Sequence, residues 1–138
     1  MSDIELIVRG IIVQDEKILL CKNLEQGFYY LPGGHVERGE FPEQAFKREM
    51  LEELGKNTQN IKKIAETKNS FVEKGKECSE VAHIYLAVLE NYENIKSLES
   101  HIAFEWIPIE KFNSIDFKPH KAIEDIFKSI EANKIFWI

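Results

Sequence analysis

Five glutamates, Glu40, Glu43, Glu49, Glu52 and Glu53, stand within fourteen residues, and only Lys47 and Arg48 among them carry the opposite charge. Like charges three or four positions apart on a helix repel. Such a run is therefore either a solvated helix face or a set of ligands for a cation. Oxygen donors at this density suit Mg²⁺ or Mn²⁺, whereas zinc prefers nitrogen and sulfur. Magnesium keeps several waters and shares its coordination with substrate phosphates. A cation here would let a chain of net charge −6 hold a phosphorylated small molecule. The same charge argues against a nucleic-acid polymer as partner, since that requires a basic face.

The element that must position these carboxylates is a helix over residues 42–54. Phe46, Met50, Leu51 and Leu54 fall on one arc and Glu49, Glu52 and Glu53 on another, so that the three carboxylates can converge on one point. Pro42 suits the first turn, and Gly55 stops the helix at its end. Before it, Gly33-Gly34 lets the backbone approach a ligand or metal and expose a carbonyl oxygen, although read alone the pair is a turn.

Around this centre the chain alternates strands and helices. Residues 4–13 and 17–23 read as a hairpin, 61–75 and 79–90 as a second one, and 101–109 as a further strand. Residues 119–134 place Ile123, Ile126, Phe127 and Ile130 at helical spacing. That order predicts an α/β fold, an α/β/α sandwich around a mixed β-sheet. At 138 residues the chain fits one domain, 1–138. Cys21 and Cys78 match no zinc spacing, the N-terminus lacks a signal-peptide pattern, and no apolar run is long enough for a membrane span. Reduced thiols, a cytoplasmic location and no membrane partner are the expectations.

The run from Gly34 through Glu40, Arg48, Glu49, Met50, Glu52, Glu53 and Gly55 resembles the Nudix box, with one departure, Lys56, where an aliphatic residue is usual. The resemblance implies a MutT-like hydrolase that cleaves a nucleoside diphosphate linked to another moiety with the help of Mg²⁺ or Mn²⁺. It implies metal ligation by Glu52, Glu53 and the Gly33 carbonyl, with Glu49 as ligand or general base. Arg48 would orient a helix glutamate, and Glu40 would support the loop and helix. Many members add an acidic residue beyond the box, an alternative to Glu49 as general base; Glu99 fits by spacing, with Glu105 the second choice.

Arg9 could reach a phosphate or the base, or face solvent. Tyr30, with Phe28 and Tyr29, could stack on a base or pack in the core. Gly34 and His35 could touch substrate. The resemblance points to a nucleotide-derived small molecule, foremost a nucleoside triphosphate, oxidised forms included. ADP-ribose, nucleotide sugars and dinucleoside polyphosphates are the alternatives, as is a non-catalytic nucleotide sensor. It also allows a homodimer.

Overall fold

The computed structural model of the chain describes residues 3–97, 100–118 and residue 128. Glu99, the helix expected over 119–134 and the apolar stretch 135–138 lie outside the described residues.

Strand β1 (Asp3–Gln14) turns back into β2 (Lys17–Asn23) through Asp15 and Glu16, whose φ angles of 51° and 61° match a tight two-residue turn. Two short strands follow, β3 (Tyr29–Tyr30) and β4 (Gly33–His35), and then helix α1 (Pro42–Leu54). Gly55 ends α1 at φ 69° with its N–H donating to the Leu51 carbonyl. Strands β5 (Thr58–Glu73) and β6 (Lys76–Leu89) form the long second hairpin, and β7 (Ile102–Pro108) leads into a 3₁₀ segment, Ile109–Ser114.

The sheet is mixed, as expected. Strand β1 runs parallel to β6 from Asp3 to Ile12, while the other pairings are antiparallel. β1 meets β4 at Ile7–Arg9 and, further on, β2 at Val13–Gln14. β2 carries β3 and β7. Because β1 changes partner midway, it joins two groups of strands, and residues of both line one cleft.

Alternation along β1 sends its side chains to two cores. Ile7 and Ile11 join Ile18, Leu20, Ile84, Phe112 and Phe117 on one face. Val8 and Ile12 join Leu19, Phe46, Met50 and Tyr85 on the other, beneath α1. Phe46 is fully buried, which stabilises the docked helix by roughly 2–3 kcal/mol. Gly10 makes this docking possible, since a Cβ there would lie 2.8 Å from Phe46 Cε1. One expectation fails here: Leu51, assigned to the buried arc, is 51% exposed. It sits at the edge of that arc, beyond the reach of β1.

Candidate active site

Strand β4 pairs with β1 so that Gly34 lies opposite Val8 and faces α1. The Glu49 carboxylate packs directly on Gly34, where any Cβ would collide with it. Gly33, at φ 153°, passes so close to the Val8 carbonyl that a side chain would strike the β1 backbone. Its N–H donates to Glu53 Oε2 at 3.2 Å. The glycine pair thus brings the helix carboxylates against the β4 backbone.

Arg48 organises the same wall. Nε and Nη2 donate to the two oxygens of Glu40 at 2.8 and 2.9 Å, a planar fork on a carboxylate. Nη1 donates to Glu49 Oε1 at 2.9 Å and to Glu52 Oε2 at 3.3 Å, while Nη2 also reaches the His35 carbonyl at 2.9 Å. Glu40 Oε1 additionally accepts the Glu37 N–H at 2.9 Å. The bond from Arg48, with that of Glu37 after it, holds the Glu40 carboxyl down to about 2. Glu40 in turn raises the already high pKa of Arg48.

Glu53 has the opposite character. Burial, and then the charge of Glu49 one turn away, push its carboxyl up to about 7, against the opposing effects of the Gly33 N–H and Arg9. A carboxyl that keeps its proton near neutrality, through burial first and a neighbouring carboxylate second, is one whose negative charge lacks compensation. A cation could take the place of that proton.

Glu49, Glu52 and Glu53 line one cavity of about 290 Å³ with Cys21, Tyr30 and Phe104. Their expected convergence on one point is not met: among the described residues no three His, Cys, Asp or Glu side chains come together as a metal site. The helix explains why. Glu49 and Glu53 are one turn apart, whereas Glu52 stands at the rim of the cavity, 58% exposed and paired with Arg48 one turn before it.

A second cavity of about 690 Å³ opens on the other face of β1, and Tyr30 and Ile102 line both. Arg9 lines this larger cleft, donating to the Leu31 carbonyl at 3.2 Å and lying 6.0 Å from the Tyr30 ring. Phe28 stands 5.8 Å from Tyr30, and Lys118 lies 4.7 Å over Phe28. Tyr29 instead packs against the core.

His35 departs from expectation. As the residue after Gly34 it faces away from α1, and its Nε2 meets Glu5 Oε2 at 3.1 Å. It lines neither cavity. Glu105 lies near Lys22, at 4.0 Å, and is likewise outside both. Sequence reading missed Cys21 at the acidic cavity: burial and then the Glu53 charge push its thiol up, opposed by Arg9. Its alternation with Leu19, on the face that α1 covers, was the available signal.

Similarity to known proteins extends over most of the chain. The NUDIX domain profile matches residues 5–129. An oxidized purine nucleoside triphosphate hydrolase from Danio rerio is 28% identical over 110 residues, 78% of this chain and 68% of that protein. An ADP-ribose pyrophosphatase from Methanocaldococcus jannaschii is 53% identical over 51 residues, which are 35% of this chain and 30% of the relative. Among solved structures, a NUDIX hydrolase from Nitrosomonas europaea superposes with TM-score 0.76 at 21% identity, covering 94% of this chain and 90% of its own. The glycine pair, the arginine-tied carboxylates of α1 and a family match from residue 5 to residue 129 lead to one conclusion: the chain belongs to the NUDIX family.

Proposed function

We propose that the protein is a pyrophosphohydrolase that uses Mg²⁺ or Mn²⁺ to cleave the P–O–P linkage of a nucleotide, foremost a nucleoside triphosphate, oxidised purines included. The observation that carries this reading is the junction of the two cavities at Tyr30 and Ile102. An acidic pocket suited to a cation and a diphosphate adjoins a cleft with an aromatic and cationic wall suited to the rest of a nucleotide.

Oxygen donors of this kind suit a hard divalent cation: Glu52, Glu53 and the Gly33 carbonyl would hold it, the carboxylates drawing together on binding, which leaves Glu49 for the base. When bound, the cation neutralises phosphate charge and lowers the pKa of a coordinated water. Arg48 fixes the rotamers of Glu49 and Glu52 through its bonds to both. Glu49, packed on Gly34, takes the role of general base and accepts the proton of the attacking water. Arg9 and Tyr30 orient the substrate at the boundary between the cavities.

Similarity to the ADP-ribose pyrophosphatase of M. jannaschii supports a second substrate reading, a nucleoside diphosphate sugar, which the cleft of about 690 Å³ can also admit. The test is product formation, resolved by anion-exchange chromatography, with Mg²⁺ or Mn²⁺: pyrophosphate and a nucleoside monophosphate from nucleoside triphosphates, AMP and ribose 5-phosphate from ADP-ribose, and two mononucleotides from dinucleoside polyphosphates. Cation-dependent product formation from one class is expected. No product from any of them would contradict the proposal.

A further inference from the structure

The wall of the larger cleft formed by β5 and β6 carries polar side chains that nothing above uses. Asn69 of β5 lies directly opposite Glu80 of β6, and both line the cleft. Each is half-buried, and neither side chain has a hydrogen bond or ion pair among the described residues. On the other side of Glu80, in the parallel ladder, stands Glu5. Like charges side by side in a sheet are unfavourable. One imidazole, His35, is at hand, and it is engaged with Glu5. The Glu80 carboxylate is left lining the cleft with no protein partner among the described residues, free to accept from a ligand.

The chemistry of the pair specifies that ligand. A carboxylate offers two acceptors and no donor, while the neighbouring amide can donate. Together they present acceptor, acceptor, donor in a row. The complementary edge is donor, donor, acceptor, which is the 2-amino group, N1–H and O6 of guanine. Adenine would turn the unshared pair of its N1 toward the carboxylate. The facing wall, Phe28 and Tyr30 flanked by Lys118 and Arg9, offers flat surfaces for the ring.

We propose that Glu80 and Asn69 are the specificity-determining pair of this cleft and select a guanine-type base by its Watson–Crick edge. The assignment rests on the reading of the cleft as a nucleotide site. Paired donors also occur on the 2′,3′-diol of a ribose, and the experiment separates that source.

Equilibrium binding of GMP, IMP, AMP and 2′-deoxy-GMP to the full chain is measured by titration calorimetry. GMP and 2′-deoxy-GMP should bind alike, IMP about tenfold more weakly for want of the 2-amino group, and AMP weakest. Glu80→Gln should weaken GMP roughly 10- to 100-fold and remove the difference between GMP and IMP. Asn69→Ala should weaken GMP and IMP equally and leave AMP unchanged. Unaltered thermal melting of both variants shows that the fold is kept.

The inference is overturned if Glu80→Gln leaves the ratio of GMP to IMP affinity unchanged. It is also overturned if loss of the 2′-hydroxyl costs more than loss of the 2-amino group, or if none of the four binds the wild-type chain. These ligands contain no P–O–P bond, so failure of the hydrolase reading would show separately, as absence of turnover over the substrate panel.

Discussion

The α1 wall and the β5–β6 wall contrast in how their polar groups are used. On α1, Arg48 alone engages Glu40, Glu49, Glu52 and the His35 carbonyl, and Glu53 accepts the Gly33 N–H. On the β5–β6 side, Asn69 and Glu80 stand opposite each other without a partner among the described residues. The first wall is pre-organised before any ligand arrives, which is what fixed chemistry requires. The second is completed by what it binds, which is what selection requires. Changes on α1 should therefore act on turnover, and changes at the cleft on affinity.

The largest effect expected is from Glu53→Gln. It keeps the shape of the half-buried side chain and removes its charge, and turnover should fall roughly 100-fold or more while far-UV circular dichroism stays unchanged. If its kcat matched wild type, the division of labour between the walls would fail. Arg48→Lys should cost about 10- to 100-fold in kcat/KM, because a single ammonium cannot bridge Glu40, Glu49 and Glu52 in one plane. Recovery of wild-type kcat with lysine would show that charge alone suffices.

A smaller effect concerns pH. In the cation-free protein Glu53 titrates at about 7, against the ordinary 4.5. Between these values the folded chain holds a proton that the unfolded chain has released, so stability declines as pH rises through this window and levels above it. The decline is roughly 3 kcal/mol at most. Glu40, held down to about 2, acts in the opposite sense and below the window, losing its contribution as pH falls from 4.5. Thermal melts at pH 5 and pH 8 should show the drop in wild type and a smaller one in Glu53→Gln. An equal drop in both would remove Glu53 as its source.

The same contrast explains what could be read from sequence. Helix α1, its Pro42 start and its Gly55 stop follow from local rules and lie where the spacing put them. The Arg48 network joins residues no more than thirteen apart and was legible as a motif. The cleft was not. That Asn69 faces Glu80 depends on the turn at Lys74-Gly75, from which the register runs unbroken to Ala65 opposite Ile84, and a one-residue slip would part the two side chains. The direction of His35 is set in the same way, by Gly34 facing α1 across the β4–β1 pairing.

The central claim is that the α1 pocket is built for a divalent cation. Calorimetric titration of the wild-type chain and Glu53→Gln with Mn²⁺, in buffers of different ionisation enthalpy near pH 7, tests it without any substrate. Binding by wild type with release of a proton, and loss of both in the variant, is the predicted result. Wild-type protein that takes up no Mn²⁺, or a variant that binds it equally well, would contradict the account.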